Sequence, residues 1–297
     1  MNVVALIVTF NRIKKLRTCL AATLDIGFRY VVVVDNASGD GTGDWLAGLR
    51  DEDERLHCIT LDCNIGGAGG FKKGAEYITH HLDYDWVVFY DDDAYPDANL
   101  LNTLSTLPET HQIFCCRVMD PQGNICRMNL PFRHLPHSLA DHVCYALKPA
   151  DFIPVHDTPC SVETLSFVGV IFSRSVVAEH WHAIHDELFL YYDDLYFGYY
   201  LTQSGFNIRY SPEITFVHDI SLTGRDIRPQ WKVYYLIRNL FLSRHYFEGC
   251  PPFSWLAIGF RVVKFFWLKG QSGKKIYISY LWRGIVDGLR QRSGMRH

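Results

Sequence analysis

The sequence predicts an α/β fold in which a mostly parallel, Rossmann-like sheet is flanked by helices. Three observations support this class. Short β-branched or aromatic runs alternate with segments of helical periodicity up to about residue 110. The runs at residues 3–9, 31–34 and 86–90 are apolar throughout, as expected of strands buried on both faces. Polar or glycine-rich residues follow these runs, at the strand ends where open α/β sheets bind their ligands.

The individual elements follow from hydrophobic spacing and turn residues. Up to residue 110, we expect strands at 3–9, 31–34, 57–61 and 86–90, and helices at 12–24, 44–49, 71–77 and 97–107. Residues 111–165 show no clear period. Beyond them we expect a strand at 167–172, a helix at 195–204 closed by Gly205, and extended segments at 208–210 and 212–217.

Composition and charge indicate a globular protein whose two ends meet different partners. The chain has 297 residues, of which 48% are hydrophobic, so it can bury a sizeable core. The net charge is −3, but residues 225–297 carry fourteen Lys and Arg against three Asp and Glu. Nine cysteines without a C-x-x-C pair are typical of reduced thiols in a cytosolic protein. We expect no secretion signal and no membrane-spanning segment.

Three carboxylates, Asp91, Asp92 and Asp93, directly follow the strand at 86–90. Folding alone gives no reason for three like charges at a strand end, because they repel one another. On an extended backbone, Asp91 and Asp93 would face the same side. We therefore predict a site for Mn²⁺ or Mg²⁺, which would also contact phosphate oxygens of a substrate. The alternative is a solvated acidic turn.

A glycine run at residues 66–70 follows Asn64 and the third predicted strand. Four glycines in five positions predict a loop whose backbone N–H groups approach an anion, followed by a helix N-terminus. The run matches neither G-x-G-x-x-G nor the Walker A pattern. Together with Asp35, at the end of the second strand, and the acidic run, it predicts one nucleotide-binding rim.

A second acidic pair, Asp193 and Asp194, follows the aromatic run at 188–192. Burial beside aromatic rings raises the pKa of a carboxylate, which suits a general base. Capping of the next helix is a compatible alternative. A single histidine is usually structural, but two acidic clusters make His218 a candidate site residue. We interpret the other clustered histidines as ordinary surface or loop residues: His134, His137, His142, His180, His182 and His185.

Taken in order, these motifs resemble the family 2 glycosyltransferases, which have a GT-A fold. The matching segments extend over about residues 1–245 and are Val8-Thr9-Phe10-Asn11-Arg12, Val34-Asp35-Asn36-Ala37-Ser38, 64–70, Asp91-Asp92-Asp93, Tyr192-Asp193-Asp194, Val217-His218 and 234–239. The glycine run followed by three Asp is most similar to bacterial galactofuranosyltransferases and a related rhamnosyltransferase-like branch. The sequence departs from the family at Val217, where many members carry Trp.

The resemblance implies a role for each matching residue. It implies that the nucleotide-sugar lies against Thr9, Asn11, Arg12, Asp35, Asn36, Asn64, Gly66, Gly67, Gly70 and Asp92. It implies that Asp91, Asp93 and His218 hold Mn²⁺ or Mg²⁺ against the diphosphate. Asp194 would be the catalytic base, and Asp193 would be its neighbour in the acceptor site.

The expected function is an inverting, metal-dependent glycosyltransferase. It would move a sugar, with galactofuranose from UDP-galactofuranose as our first choice, onto a lipid-linked bacterial surface glycan. One alternative is rhamnosyl transfer from dTDP-rhamnose. Another is a non-catalytic scaffold at the membrane surface, which would tolerate loss of the acidic pairs. A nucleotidyltransferase would need a glycine-rich basic signature after the first strand, and residues 9–12 do not supply it.

We divide the chain into a donor-binding half (1–110), an acceptor-binding and catalytic half (111–245) and a helical, basic C-terminal segment (246–297). The apolar stretch 253–268 is interrupted by Arg261 and Lys264, which suits a helix lying on a membrane surface. Lys269 and later basic residues would favour anionic lipids. A packed helical subdomain and an oligomer interface are alternatives. We expect a cytoplasmic protein, peripheral on the inner face of the cytoplasmic membrane, with no nucleic-acid partner and with homo-oligomerisation left open.

Overall fold

The computed structural model describes residues 1–220, 227–267 and 274–296. Arg225, Leu268 and Lys269, which entered the sequence argument, lie outside these residues. Within the described residues, one sheet contains nine strands: β1 (Val3–Thr9), β2 (Tyr30–Asp35), β3 (Leu56–Thr60), β4 (Trp86–Asp91), β5 (Ala94–Pro96), β6 (Ile113–Met119), β7 (Cys160–Val162), β8 (Val170–Ser173) and β9 (Ile208–His218).

The α-helices of the described residues are α1 (Ile13–Ile26), α2 (Thr42–Arg50), α3 (Gly66–His81), α4 (Leu100–Leu104), α5 (Leu139–Leu147), α6 (Arg174–His180), α7 (Asp193–Gln203), α8 (Lys232–Tyr246), α9 (Trp255–Phe266) and α10 (Lys274–Leu289). Helix α7 ends where Gly205 takes a positive φ of 91°, which confirms the predicted stop. None of the described helices is both long enough and apolar enough to cross a bilayer.

The mostly parallel sheet is confirmed, with strand order β3-β2-β1-β4-β8-β6-β9-β5 and β7 paired to β9. β1 runs parallel to both β2 and β4, and β2 runs parallel to β3. Every residue of β1 is buried, which explains why its sequence is apolar instead of alternating. Helices α1, α2 and α4 cover one face of the sheet, and α3, α6 and α7 cover the other.

The far half of the sheet differs from the prediction in two ways. β6 lies within the stretch that showed no clear period, and it pairs in parallel with β9, about a hundred residues further along the chain. β9 is one strand where we expected two segments. Its register against β6 shifts between Cys116 and Arg117, so Pro212 falls in an irregular part of the ladder, where its missing N–H is tolerated.

The predicted helix at 97–107 is also wrong at its start, because α4 begins only at Leu100 and a short strand, β5, precedes it. Asp97 accepts a hydrogen bond from Thr215 N–H through its side chain, which fixes this segment to β9. The antiparallel pairing of β5 with β9 sets Ala94 opposite His218. This pairing brings a distant histidine beside the acidic run.

The C-terminal helices pack on the catalytic part of the chain. Their core contains Tyr196 and Tyr199 of α7 together with residues of α8, α9 and α10. Helix α9 begins at an N-cap, Ser254, whose hydroxyl accepts a hydrogen bond from Ala257 N–H. Residues after 246 therefore form a packed helical layer, as one of the alternatives proposed.

Candidate active site

The acidic run forms a tight turn between β4 and β5. Asp91 is the last residue of β4, and Asp92 and Asp93 form the turn, so the extended backbone that we expected through Asp93 is wrong. The turn nevertheless brings the expected groups together. One ligand atom each from Asp91, Asp93 and His218 lies within 4.8 Å of the others. Two opposite ligands of Mg²⁺ lie about 4.2 Å apart, so two carboxylates and an imidazole at this spacing fit a small divalent cation.

Backbone and side-chain hydrogen bonds hold this cluster in place. Asp219 N–H donates to the carbonyl of Asp93 at 2.7 Å, and His218 Nε2 lies 3.2 Å from Asp93 Oδ1. Arg12 donates to Asp93 Oδ2 at 2.6 Å. Burial and the neighbouring Asp93 raise the pKa of Asp91 to about 7. Burial acts to raise the pKa of Asp93 as well, but the hydrogen bond with His218 and the charge of Arg12 outweigh it and lower that pKa.

A hydrogen-bonded chain joins His218 to Asp194, and sequence reasoning missed both of its middle members. Ser166 donates its hydroxyl proton to Asp194 and accepts from Asn129 Nδ2 at 3.0 Å. Asn129 Oδ1 is therefore the atom that faces His218 Nδ1, at 2.9 Å, and Nδ1 must carry the proton. This bond fixes the ring so that Nε2 points at Asp93 Oδ1, and its lone pair could serve as the ligand of a cation bound there.

Asp92 lies outside this cluster. Its side chain is buried and accepts hydrogen bonds from the hydroxyl of Thr9 at 2.7 Å and from Arg12 at 3.2 Å. Burial raises the pKa of Asp92 to about 6, against the opposing charge of Arg12. Arg12 thus bridges two carboxylates of the turn and offsets part of their repulsion.

A cavity of about 440 Å³ opens beside the acidic turn. Of the residues that the resemblance assigned to the nucleotide-sugar, those in its wall are Thr9, Arg12, Asn36, Asn64, Gly66, Gly67 and Asp92. Asp91 of the metal cluster also lies in this wall. Sequence reasoning missed Lys232 and Met295, which line it from α8 and from the C-terminal residues. Lys232 and Arg12 are the two basic side chains that face this cavity. Burial and the charge of Arg12 lower the pKa of Lys232.

Asn11, Asp35 and Gly70 are not among the residues that line this cavity. Asn11 connects two loops: its N–H donates to Ser38 Oγ and its Oδ1 accepts from Gly39 N–H. Asp35 is buried and accepts from Ser38 N–H through Oδ1. Its Oδ2 is buried without a hydrogen-bond partner among the described residues. Such an atom is costly to leave unsatisfied, and a bound polar ligand could satisfy it.

The glycine run is not a loop, and this part of the prediction is wrong. Helix α3 begins at Gly66, so the run forms its first turns. The reason is packing. Gly66 has a φ of 81°, and a Cβ there would overlap the carbonyl of Phe189. A Cβ at Gly70 would lie 2.5 Å from Val8 Cγ1. Asn36, just after β2, binds the start of α3: its amide donates to Gly66 O and accepts from Ile65 N–H.

A second cavity, of about 420 Å³, contains both members of the second acidic pair. It shares Gly67, Asp91 and Leu190 with the first cavity, so the two meet at the metal cluster. Asp193 and Asp194 are the first two residues of α7, not residues ahead of it, and the N-cap residue is Tyr192, which makes no side-chain cap. Asp194 Oδ1 accepts from Leu195 N–H at 2.7 Å. The second cavity therefore contains the carboxylates of Asp193 and Asp194, and Asp91 lies between it and the first cavity.

The two carboxylates of this pair differ in their electrostatic environment. Burial raises the pKa of Asp194 to about 6, although hydrogen bonds from the backbone of Leu195 and Phe167 and from Ser166 oppose the rise. Burial and the adjacent charge of Asp194 raise the pKa of Asp193 well above its usual range. Of the two carboxyls, Asp194 is therefore the one that ionises more readily.

Helix α8 holds the segment that leads to the pair. Asn239 Nδ2 donates to the carbonyls of Leu188, Leu190 and Tyr191 at 3.2, 2.8 and 3.0 Å. The neighbouring Arg238 is fully buried and donates to the carbonyls of Glu187, Leu188 and Gly294. The segment needs such support because three of its residues have positive φ: Phe189, Tyr191 and Tyr192. The motif at 234–239 marked this helix in the sequence, but no role followed from it.

The fold and the site together define a glycosyltransferase of the GT-A class. A mannosyltransferase of Pyrobaculum calidifontis, solved in complex with GDP-Man and Mn²⁺, matches 98% of this chain and 88% of its own chain, with a TM-score of 0.58 and 14% identity. At that identity the likeness concerns the fold. The family model for glycosyl transferase family 2 matches residues 4–181, more than half of the chain. The chain belongs to this family.

Two curated relatives match parts of the chain. An undecaprenyl-phosphate mannosyltransferase of Micrococcus luteus is 38% identical over 98 residues, which cover 31% of this chain and 38% of the relative. Galactofuranosyltransferase GlfT1 of Mycolicibacterium smegmatis is 31% identical over 139 residues, or 44% of this chain and 43% of the relative. Both matches thus span less than half of either protein.

Proposed function

We propose that the protein is a metal-dependent, inverting hexosyltransferase that moves galactofuranose from UDP-galactofuranose onto a lipid-linked bacterial glycan. The observation that carries this proposal is the meeting of two cavities at Asp91. One contains the acidic turn and two cations, and the other contains Asp193 and Asp194. Donor and acceptor sites with this relation suit a direct displacement at the sugar carbon between them.

The donor would occupy the first cavity, with its diphosphate near Arg12 and Lys232. A divalent cation held by Asp91, Asp93 and His218 would supply Lewis-acid neutralisation of the departing diphosphate. Asp92, fixed by Thr9, would approach the nucleoside, and Asp35 Oδ2 would gain a partner on its ribose or base. Asn36 would form part of the cavity wall, and Gly70 would allow α3 to pack closely against Val8 of that wall. Asn11 would connect the two loops beside it.

The acceptor hydroxyl would lie in the second cavity and lose its proton to Asp194. A carboxylate with a pKa of about 6 is ionised at neutral pH yet basic enough to assist, and such a base contributes roughly 10²–10⁴-fold. Asp193, the member that ionises less readily, would hydrogen-bond to the acceptor beside Asp194. Attack from the face opposite the diphosphate inverts the anomeric carbon. In this scheme, residues 1–110 serve mainly the donor, and residues 111–245 mainly the acceptor.

The choice of sugar rests on the glycine run and on the activities for which the relatives are named. One relative is named for galactofuranosyl transfer and the other for mannosyl transfer, so they support a hexosyl donor more firmly than a particular sugar. Rhamnosyl transfer from dTDP-rhamnose is the second candidate. The acidic turn and the second acidic pair are both intact, and Asp91, Asp92, Asp193 and Asp194 line the two cavities, which favours an enzyme over a membrane-surface scaffold.

The direct test is a panel of sugar-nucleotides with purified protein, Mn²⁺ and a lipid-linked acceptor, read by mass spectrometry of the extended acceptor. We expect extension with UDP-galactofuranose, and none in EDTA. Extension with dTDP-rhamnose alone would replace the donor assignment. Full turnover in EDTA would remove the metal from the mechanism.

Two isosteric variants test the assignment of the base. Asp194→Asn should bind UDP and Mn²⁺ normally by calorimetry but transfer at least about a hundredfold more slowly. Asp193→Asn is the matched control and should mainly weaken acceptor binding. The reverse order of effects would exchange the two roles, and normal transfer by both variants would contradict a base in this pair.

A further inference from the structure

Exposed large apolar side chains are concentrated on three helices, α5, α9 and α10. Of α9, Ala257, Ile258 and Val262 enter the core, whereas its outer side exposes Trp255, Leu256, Phe260, Val263 and Phe266. Leu256 is 71% exposed, and Trp267, just beyond the helix, is 79% exposed. A helix that is apolar on all sides normally has partners on all sides. The outer side of α9 therefore indicates a surface that something else covers.

The three helices form one continuous surface. Arg261 of α9 donates to His142 of α5 at 3.1 Å, and the ring of Phe260 lies 5.4 Å from that of His142. Between α9 and α10, the ring centroids of Phe266 and Trp282 are 6.3 Å apart. We call the exposed apolar side chains of these helices the docking face; they include Leu147, Leu256, Phe260, Val263, Trp267 and Trp282.

The charges around the docking face select its partner. Residues 255–296 contain nine Lys and Arg but one acidic residue, Asp287, which already pairs with Tyr234 and Arg292. Beside Trp282, a cavity of about 400 Å³ is lined by Arg283, Arg292 and Arg296 together with Asp287, so three cations and one carboxylate face it. A second copy docking through the same face would bring these cations against each other, because a two-fold interface pairs a surface with itself. A bilayer with anionic headgroups offers both the apolar layer and the opposite charge.

We propose that the docking face is a membrane-binding surface, in which the exposed side chains of α5, α9 and α10 enter the bilayer interface and the arginine cavity beside Trp282 takes a lipid phosphate. The surface borders the active site. Phe253, just before α9, lies 6.3 Å from the ring of Tyr192 in the second cavity, and Arg261 stacks on Phe253 at 4.1 Å. A lipid-linked acceptor would then reach Asp194 from the bilayer. Only this last step rests on the proposed function.

Vesicle flotation with the full chain tests the surface. We expect wild-type protein to bind phosphatidylcholine vesicles weakly and vesicles that also contain phosphatidylglycerol more strongly. The double variant L256E/F260E should bind at least tenfold more weakly to both, because each large apolar side chain transferred from water contributes roughly three- to tenfold. K274Q/K275Q should lose about tenfold on the anionic vesicles alone. The matched control is V155E, which alters an equally exposed apolar residue outside these helices.

The outcomes separate this proposal from the proposed function, because vesicle binding needs neither donor nor acceptor. Calorimetric binding of UDP with Mn²⁺ checks that each variant is folded. The proposal is overturned if wild-type protein binds neither vesicle, or if L256E/F260E binds as V155E does. It is also overturned if sedimentation shows a dimer in the wild type that L256E/F260E dissociates while vesicle binding is unchanged. A failed donor panel with intact vesicle binding would leave the docking face standing.

Discussion

Truncation of Asn239 should disable the enzyme without unfolding it, because this side chain holds the segment that leads to the second acidic pair. Its amide contacts three backbone carbonyls, and its Oδ1 accepts from Arg238 Nε at 2.9 Å. Asn239→Ala removes this partner from Arg238 Nε and from the carbonyls of Leu190 and Tyr191, whereas the carbonyl of Leu188 keeps its bond from Arg238. Each group that finds no other partner costs about 1–3 kcal/mol. We expect a total loss of about 3–5 kcal/mol, part of which the segment can avoid by moving.

The segment has a reason to move. Phe189, Tyr191 and Tyr192 each have a φ near 68°, and non-glycine residues in that region cost about 1–3 kcal/mol each. The bonds of Asn239 are of similar size, so their loss allows the segment to relax and to carry Asp193 and Asp194 out of place. If the competent arrangement is favoured by about 1 kcal/mol in the wild type and about 3 kcal/mol falls on this local equilibrium, its population drops to a few per cent. Transfer should then drop roughly twentyfold.

The assay combines initial rates with thermal melting and hydrogen exchange of residues 187–192. Ser243→Ala is the matched control: Ser243 is buried in the same helix, and its hydroxyl bonds to the carbonyl of Leu240 at 2.7 Å and to Tyr196, neither of which belongs to residues 187–192. That variant should lose about 1 kcal/mol and keep its rate. The reasoning is refuted if Asn239→Ala melts earlier, yet transfers at the wild-type rate with unchanged exchange at 187–192.

Two further predictions concern the chain of hydrogen bonds between His218 and Asp194. Asn129→Leu removes the acceptor of the Nδ1 proton of His218, so the Mn²⁺ concentration for half-maximal activity should rise about tenfold or more, whereas Asn124→Leu in the nearby turn should not change it. An unchanged Mn²⁺ requirement would show that Asn129 does not orient the imidazole. The transfer rate should rise with pH through about 6, because only ionised Asp194 accepts a proton and burial has raised its pKa. This limb should vanish in Asp194→Asn, and its persistence would assign it to another group.

The first half of the sheet was predictable because its signals are local. A strand buried on both faces must be apolar throughout, and β1, β2 and β4 are. β6 gave no such signal, since its pairing partner lies about a hundred residues away and no turn residues connect the two. The glycine run misled for a related reason. Glycine disfavours helices, but the close approach of Val8 and of the Phe189 carbonyl overrides that preference at Gly66 and Gly70.

The site was predictable where its residues lie at the ends of parallel strands. It was unpredictable where residues only hydrogen-bond to other site residues and hold them in position. Asp35 ends β2 and Asp91 ends β4, the two strands that flank β1 in one parallel sheet, so their placement at the same edge follows from topology. Asn129 and Ser166 lie in irregular segments, and their importance comes only from hydrogen bonds to side chains 37–89 residues away. No local pattern distinguishes such residues from ordinary loop polar residues.

Helix α8 connects the parts of this molecule that the sequence presents separately. Lys232, Leu236 and Asn239 recur at helical spacing, so one side of α8 meets the first cavity, the second cavity and the segment before Asp193 in turn. Its other side packs on α10, where a Cβ at Gly284 would lie 2.8 Å from the carbonyl of Tyr234. Contact this close leaves little room for α10 to shift without moving α8. A membrane bound at the docking face would therefore act on the same helix that carries Lys232 and supports the segment before the acidic pair.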